Sequence, residues 1–390
     1  MADAYIVDAL RTAGGRRNGR LSGIHPADLA GDVLSALVER TGIAPGAIED
    51  VVLGCVSQVG EQSFAFARNA VLASTLPVGT PATTVDRQCG SSQQAVHFAA
   101  QAVMSGSQDV VIAAGAESMS RVPMFSNQRI AGLGEDQGGP ISARIQRRFG
   151  VPGFSQFDGA EMLARKYGFD REQLDRYALE SHRRATAAQD AGAFEREIVP
   201  ISIETPDGLA LHRIDEGVRT DASLEKIAGM KTLVEGGMIT AANASQISDG
   251  ASATLIVSER ALKAHGLTPI ARIHAMTVTA GDPVIMLEEP VNATARLLDR
   301  AGMTIGDIGL YEVNEAFAPV PLAWLKATGA DPAALNVHGG AIAIGHPLGA
   351  SGTRLFATLV HALRRHGKRY GLQTMCEAGG IANATIVEAL

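Results

Sequence analysis

The stretch Asp86-Arg87-Gln88-Cys89-Gly90-Ser91-Ser92 decides how the rest of the chain is organised. An extended segment, Pro81 to Val85, precedes it, and the apolar residues from Gln93 to Ser105 recur at helical spacing. Cys89 is therefore expected where a strand gives way to a helix. The unpaired N–H groups at a helix N-terminus favour a thiolate over a thiol. A lone cysteine is more often a small buried hydrophobic residue, so the motif alone leaves both interpretations open.

Composition sets the class of protein. The chain has 390 residues, 43 of them glycine, and only 4% are aromatic, which is typical of closely packed helices on sheets. A net charge of −7 argues against a nucleic-acid partner. Cys55, Cys89 and Cys376 are far apart and form no disulfide framework, which fits a reducing compartment. With no signal-peptide pattern and no run of ~18 apolar residues, we expect a cytoplasmic protein without a membrane span.

The first third of the chain alternates strands with helices. The pattern predicts a strand from Ala4 to Leu10, a helix capped by Asp28 and running through Val38, and a strand from Asp50 to Val56. It then predicts a helix from Glu61 to Leu72 and a buried strand from Gln108 to Ala114. This alternation indicates an α/β fold.

The alternation stops near residue 119 and resumes near residue 249. The intervening segment contains amphipathic helices at 159–167 and 171–191, and the run from Asp249 to Ser258 is again strand-like. We interpret the segment as an insertion. The expected domains are residues 1–118 plus 246–268 as an N-terminal half, 119–245 as a loop domain, and 269–390 as a C-terminal half.

The last third reads as a weak copy of the first. The strand 50–53 finds a counterpart at 307–310, the helix 91–105 at 352–366, and the strand 110–115 at 371–376. The order of the elements is the same in both copies. Two related units joined by an insertion are therefore expected.

The second copy carries further residues suited to chemistry. In Gly345-His346-Pro347 the proline fits the start of a helix, so His346 is expected at a second helix N-terminus. Cys376 ends an apolar strand before Ala378-Gly379-Gly380, where backbone N–H groups can face a substrate oxygen. Each feature alone also has a purely structural explanation.

Together the motifs resemble one family, the thiolases. The similarity runs from Tyr5 to the C-terminus and rests on four motifs in order: Gln88-Cys89-Gly90-Ser91-Ser92, Asn314-Glu315-Ala316-Phe317-Ala318, Gly345-His346-Pro347 and Cys376-Glu377-Ala378-Gly379-Gly380. The resemblance implies a duplicated five-layered α/β/α/β/α fold with an inserted loop domain. It also implies a homodimer or homotetramer that cleaves 3-ketoacyl-CoA with coenzyme A, or condenses two acyl-CoA molecules in reverse.

The resemblance also assigns roles to residues. Cys89 is expected to carry the acyl group as a thioester, His346 to take its proton, Cys376 to act as acid and base, and Asn314 to hold a water. The backbone N–H groups of Cys89 and Ala378 are expected to form an oxyanion hole. No metal or redox cofactor is implied, since coenzyme A is a substrate. The expected coenzyme A and substrate contacts are Ser245, Arg219, Ala316 and Phe317.

Two departures from the family pattern bear on these expectations. Ala378 replaces the first glycine of the family's run, and a positive φ there would be strained for alanine. The loop Phe154 to Gly159 lacks the pattern of the biosynthetic branch and looks more like degradative thiolases, including those acting on long or steroid side chains. Degradation, with possible beta-oxidation partner enzymes, is therefore favoured.

Three alternatives remain open at this point. A biosynthetic acetoacetyl-CoA thiolase would share the motifs. A ketoacyl synthase shares the fold, but it should use one cysteine with two histidines. A non-catalytic acyl-CoA or lipid-binding subunit is expected to have lost Cys89, His346 or Cys376, and all three are present.

Overall fold

The computed structural model describes residues 2–128 and 139–390. The strands within these ranges are β1 (Tyr5–Thr12), β2 (Gly15–Arg16), β3 (Asp50–Gly54), β4 (Ala82–Val85), β5 (Val110–Ser118), β6 (Ile198–Val199), β7 (Ile201–Thr205), β8 (Gly208–His212), β9 (Ser248–Val257), β10 (Ala271–Ala280), β11 (Leu310–Val313), β12 (Tyr370–Glu377) and β13 (Ile381–Ala389). The α-helices are α1 (Pro26–Thr41), α2 (Phe66–Leu72), α3 (Ser91–Ser105), α4 (Ala143–Phe149), α5 (Gln156–Tyr167), α6 (Arg171–Asp190), α7 (Leu224–Ala228), α8 (Glu259–His265), α9 (Pro290–Ala301), α10 (Pro319–Thr328), α11 (Ala341–Ile344) and α12 (Ser351–Arg365).

One large sheet runs through both halves in the order β11-β12-β13-β10-β1-β9-β5-β3-β4. Strand β4 pairs in parallel with β3 and β3 with β5, and β11 pairs in parallel with β12. The two halves meet where Tyr5 and Ile6 of β1 pair with Arg272 and Ala271 of β10. The nucleophile candidate follows β4, which is the last strand at one edge.

Helices cover both faces of the sheet, and the helices and strands together form five layers. Helix α1 packs outside the N-terminal strands and α9 outside the C-terminal strands. Helices α3 and α12 pack on each other between the two halves, where their apolar residues share one core with strand residues such as Val111 and Val387. The predicted duplicated α/β/α/β/α architecture is confirmed. It brings the N-terminal ends of α3 and α12 to the middle of the molecule.

The repeat is real, but its register differs from the one predicted. The predicted pairing of 50–53 with 307–310 is wrong, because β3 begins at Asp50 and β11 at Leu310. Helix α3 begins at Ser91 and α12 at Ser351, so the copies are related by 351 − 91 = 260 positions. The sequence comparison was out of register because Asp307 closes a short 3₁₀ turn and stands three positions before Leu310, where the strand begins.

Two predicted helix starts in the first third are also wrong. Helix α1 is capped by His25, whose Nδ1 accepts a hydrogen bond from the Ala27 N–H, and not by Asp28. The predicted helix from Glu61 to Leu72 is broken, because Phe64 and Ala65 both have a φ of +54°. Only the last seven residues of that run, Phe66–Leu72, form helix α2.

The insertion holds helices α4 to α7 and the separate hairpin β7–β8. The strand predicted from Asp249 is found as β9, which pairs with both β1 and β5 and so rejoins the sheet. The exact domain limits remain a prediction. Within the described ranges no helix is long and apolar enough to cross a bilayer.

Candidate active site

Cys89 lies in the turn between β4 and α3. Gln88 adopts a left-handed conformation with a φ of +49°, and its N–H donates to Asp86 Oδ1 at 2.7 Å. A non-glycine residue with positive φ is uncommon and clusters at functional sites. This turn reverses the chain just before the helix, so Cys89 lines a pocket although it is only 8% exposed.

The pocket has a volume of about 980 Å³. Its described walls are mainly apolar and come from three parts of the chain: the loops around Val56 and Cys89, the insertion, and the C-terminal half. They include Val56, Met124, Phe125, Ile141, Phe154, Phe157, Met286 and Leu348. The sequence singled out the 154–159 loop but not Met124, Met286 or Leu348, since apolar residues carry no motif of their own.

The resting thiol of Cys89 is not the thiolate expected from its place at a helix N-terminus. Burial, and after it the charge of the nearby Glu377 carboxyl, raise its pKa to about 12. Desolvation of the charged form outweighs the helix dipole here, because the pocket excludes water from the sulfur. Cys89 therefore needs a base to become a nucleophile.

Cys376 stands near the end of β12, two residues before Ala378, which lines the same pocket. It is 1% exposed, and burial raises the pKa of its thiol well above the usual value. The second cause of this shift is the charge of Cys89, so the two sulfurs are electrostatic neighbours. Strand pairing with β13 fixes Cys376 opposite Ala382.

His346 is held as a neutral base. Its Nδ1 lies 2.5 Å from Ser351 Oγ, and that hydroxyl donates to the Pro347 carbonyl at 2.8 Å. The hydroxyl must therefore accept from Nδ1–H, which leaves Nε2 with a free lone pair. Burial, and then the charge of Arg354, lower the His346 pKa to about 3, so the imidazole is neutral near pH 7.

Asn314 joins this group. Its Nδ2 lies 3.4 Å from His346 Nε2, and its Oδ1 is buried without a hydrogen-bond partner. A buried polar atom that makes no bond is costly, so it marks a place where a water or substrate group fits. The structure thus brings Asn314 and His346 together as the sequence suggested.

The turn after Cys376 resolves the question raised by Ala378. Gly379 and Gly380 have φ values of +90° and +75°, whereas Ala378 is not among the residues with positive φ. The left-handed positions are thus taken by glycine, and alanine is unstrained. Ala378 and Gly379 line the pocket that Cys89 lines.

The proposed coenzyme A contacts divide into two groups. The Ser245 N–H donates to the Ala316 carbonyl at 2.9 Å, and Ala244 bridges to Phe317, so these residues form one surface beside the Asn314 motif. Phe317 packs edge-on against the pocket residue Phe157. Arg219 is exposed, its N–H bonds to His182 Nδ1, and it does not reach the described pocket walls.

Two buried carboxyl groups near the site were not singled out from the sequence. Glu117 accepts four N–H hydrogen bonds, from Val56, Ser57, Gly349 and Gln62, and the Cys55 thiol donates to its Oε1 at 3.9 Å. Glu377 lies against Gly90, where an added Cβ would overlap its carboxyl group. A sequence shows that a strand ends in glutamate but not that the side chain is buried. Within residues 2–128 and 139–390 no cluster of three or more His, Cys, Asp or Glu could hold a metal ion.

Two family models match nearly the whole chain. "Thiolase, N-terminal domain" covers residues 4–260, and "Thiolase, C-terminal domain" covers residues 267–389. Among curated proteins, steroid 3-ketoacyl-CoA thiolase FadA6 of Mycobacterium tuberculosis is 53% identical over 394 residues, which span 100% of this chain and 95% of that protein. A 3-ketoacyl-CoA thiolase of Photorhabdus laumondii is 41% identical, with both chains fully covered.

Solved structures agree. Human mitochondrial 3-ketoacyl-CoA thiolase superposes with a TM-score of 0.90 at 36% identity, covering 100% of this chain and 99% of that one. The acetyl-CoA acetyltransferase of Bacillus anthracis gives the same TM-score at 35% identity and the same coverage. With matching models over both halves and relatives well above 30% identity, the chain belongs to the thiolase family and is an acyltransferase.

Proposed function

We propose that this enzyme is a degradative 3-ketoacyl-CoA thiolase that uses Cys89 as its nucleophile. The observation that carries the proposal is one mainly apolar pocket lined by Cys89 of the N-terminal half and by Ala378 of the C-terminal half, which stands two residues after Cys376. Cleaving a carbon–carbon bond next to a ketone needs a nucleophile for the ketone carbon and a proton source for the departing carbon. Two thiols with separate tasks meet this need.

In the first half-reaction, the Cys89 thiol passes its proton to His346 Nε2 and the sulfur attacks the C3 ketone carbon. The N–H groups of Cys89 and Ala378 bind the resulting oxyanion, a kind of contact that is typically worth about 3–4 kcal/mol in the transition state. The C2–C3 bond then breaks and its electron pair forms the enolate of acetyl-CoA. The enolate oxygen accepts from His346 and from a water on Asn314, while Cys376 protonates C2.

In the second half-reaction, coenzyme A releases the shortened acyl group. The Cys376 thiolate left by the first step takes the proton of the coenzyme A thiol, whose sulfur attacks the Cys89 thioester. The tetrahedral intermediate uses the same two backbone N–H groups and collapses to acyl-CoA and the Cys89 thiolate, which regains its proton from His346. Every step is a proton transfer, an addition to a carbonyl carbon or the collapse of a tetrahedral intermediate, so the proposed reaction requires no metal or redox cofactor.

The substrate proposed is a 3-ketoacyl-CoA with a long or bulky acyl group. A pocket of about 980 Å³ lies at the upper end of the range for small-molecule sites, far more than an acetoacetyl group fills. Its walls are mainly apolar, which favours a hydrocarbon chain or ring system. The 53% identity to a protein named for steroid 3-ketoacyl-CoA supports the same class.

Thiolysis by the Cys89→Ser variant is the direct test. Carbon–carbon cleavage should be abolished, because a serine hydroxyl is a far weaker nucleophile than a thiolate. Cys55→Ser is the matched control, since Cys55 is also a buried free cysteine but does not line the pocket. Full activity in Cys89→Ser would reject the mechanism.

Cys376→Ala separates the roles of the two thiols. This variant should still form the Cys89 thioester from acyl-CoA, detected by mass spectrometry, and should fail to cleave 3-ketoacyl-CoA. Loss of both reactions would contradict the assignment of separate roles to the two thiols.

A panel of 3-ketoacyl-CoAs from C4 to steroid side chains tests the substrate class. The value of kcat/KM should rise from acetoacetyl-CoA toward bulky substrates. A preference for acetoacetyl-CoA would favour the biosynthetic alternative instead.

We also propose a cytoplasmic homo-oligomer. The edge strand β4 leaves backbone groups unpaired, and an exposed edge is a ready template for pairing with another chain. The large side chains of Phe64 and Val78, which both precede this strand in the chain, are 91% and 77% exposed. Light scattering should give a dimer or tetramer mass, and a monomer at micromolar concentration would contradict the proposal.

A further inference from the structure

The internal repeat relates the nucleophile to a residue with no assigned role. A shift of 260 positions, as from Ser91 to Ser351, carries Cys89 onto Gly349 and Glu117 onto Glu377. Cys89 and Gly349 each stand two residues before a central helix. Glu117 and Glu377 each stand near the end of the strand that follows in their own half, β5 or β12.

In the C-terminal copy, the loop before helix α12 is hydrogen-bonded to a buried carboxylate. Glu117 Oε2 accepts from the Gly349 N–H at 2.9 Å and from the Val56 N–H at 2.8 Å. Its Oε1 accepts from the Ser57 N–H at 3.0 Å and from Gln62 Nε2 at 2.8 Å. The group is fully buried, and these four donors come from two stretches of the chain, residues 56–62 and Gly349.

The donors belong to the walls of the pocket. Val56 and Ser57 line it directly, and so does Leu348, which precedes Gly349 in the loop that carries His346. An added Cβ at Gly349 would lie 2.8 Å from Glu117 Oε2 and 2.5 Å from Cys55 Cα, so the two loops can approach this closely only with glycine. One carboxylate therefore joins the N-terminal wall of the pocket to the loop of the base.

In the N-terminal copy, the loop before helix α3 makes no equivalent hydrogen bond. Glu377 Oε1 accepts from the Asn383 N–H at 3.1 Å, and its Oε2 has no partner. Glu377 makes no hydrogen bond to the Cys89 N–H, which the proposed reaction needs for the substrate oxygen. The two copies thus differ at one of the two backbone N–H groups that the proposed oxyanion hole requires.

We propose that Glu117 is a positioning residue for the thiolase reaction, which holds the loop of His346 against the wall formed by Val56 and Ser57. Glu117 touches no reacting atom and acts through these backbone groups. The inference rests on the proposed function of Cys89 and His346. Displacing a reacting group by about 1 Å can cost ~100-fold in rate, which sets the expected scale.

The first variant is Glu117→Gln. The amide offers one oxygen and one NH₂ to a site that presents four N–H donors and the Cys55 thiol, so at least one donor loses its acceptor. We expect kcat to fall about 10- to 100-fold with the KM for coenzyme A changed less than about 2-fold, because the surface of Ser245 and Phe317 is not bonded to Glu117. Glu117→Asp keeps the carboxylate and should recover part of the loss.

Two further variants keep the test decisive. Glu161→Gln is the control, since Glu161 is likewise buried and accepts backbone N–H groups, those of Met238 and Ile239, but does not line the pocket. It should leave kcat unchanged. If Glu117→Gln fails to fold, Gln62→Ala removes one of the four N–H donors to Glu117, together with the Gln62 bonds to the Ser118 N–H and the Ser57 carbonyl, and should lower kcat by a few-fold in a folded protein.

Alkylation of Cys89 by iodoacetamide gives a second readout that needs no thiolase substrate. Glu117→Gln should slow it at pH 7 by about 10-fold, because the displaced loop moves His346 from the sulfur. Unchanged alkylation and unchanged kcat in a folded variant, or equal losses in Glu117→Gln and Glu161→Gln, would overturn the inference. Absence of thiolysis in the parent enzyme would instead reject the proposed function, and the alkylation rates would still decide the role of Glu117.

Discussion

Replacing Glu377 by glutamine should remove a pH-dependent loss of stability. The Glu377 carboxyl lies against Gly90 and bonds only to the Asn383 N–H, and burial raises its pKa from 4.5 to about 8. No cation forms an ion pair with it among the described residues. The folded protein therefore keeps it as a neutral acid near pH 7.

The sign of the effect follows from the raised pKa. Because the folded pKa lies above the unfolded one, the stabilising contribution of the protonated acid is complete below pH 4.5 and is lost as the pH rises to about 8. Each pH unit in that window lowers the free energy of unfolding by about 1.4 kcal/mol. At pH 7 the loss is about 3 kcal/mol relative to pH 4.5. Glutamine keeps the acceptor for Asn383 and cannot ionise, so the variant avoids this loss.

Urea unfolding at pH 5 and pH 8, at one protein concentration, measures the effect. The free energy of unfolding of Glu377→Gln relative to the parent should increase by about 4 kcal/mol between these two pH values. Glu172→Gln is the control, because Glu172 is 63% exposed and should give no such change. Parallel pH profiles for Glu377→Gln and the parent would refute a buried, neutral Glu377.

Three other predictions concern the site and the core. Alkylation of Cys89 should keep accelerating up to about pH 12, because burial raises its pKa to about that value; a plateau below pH 8 would contradict this. Ala378→Gly should leave thiolysis within about 2-fold, whereas Gly379→Ala should destabilise the turn by about 1 kcal/mol or more, since only Gly379 has a positive φ; steady-state rates and melting curves measure the two effects. Trp324 is fully buried and donates to Thr294 Oγ1 at 2.8 Å, so Trp324→Ala should lower the free energy of unfolding by about 3–5 kcal/mol in urea titrations.

Sequence reasoning found the parts of the fold that rest on periodicity. Helix α3 runs from Ser91 to Ser105, as its apolar spacing predicted, and the insertion ends where β9 begins. The start of α1 was missed although Pro26 follows His25, a pattern that marks a first helical residue. The break at Phe64 and Ala65 had no signal, because left-handed residues other than glycine leave no mark in the sequence.

For the site, the motifs identified the residues but not their electrostatics. The helix dipole suggested a thiolate at Cys89, whereas the depth of burial, which only the folded chain reveals, keeps the thiol protonated. The pairing of Asn314 with His346 followed from the motifs, and the role of Ser351 in fixing the imidazole did not. Side chains that act by bonding to backbone groups, such as Glu117, carry no pattern that a single sequence can show.

The hydrogen bond from the Gly349 N–H to Glu117 bears on how many acyl groups one chain can hold. Because the fold is duplicated, two equivalent loops lie at the centre of the molecule, one before α3 and one before α12. If both loops were free to bind substrate, one chain could hold two acyl groups. Here one loop is occupied internally by the protein's own carboxylate and carries glycine in place of a sulfur. Each polypeptide should therefore accept a single acyl group, whatever the number of subunits in the assembly.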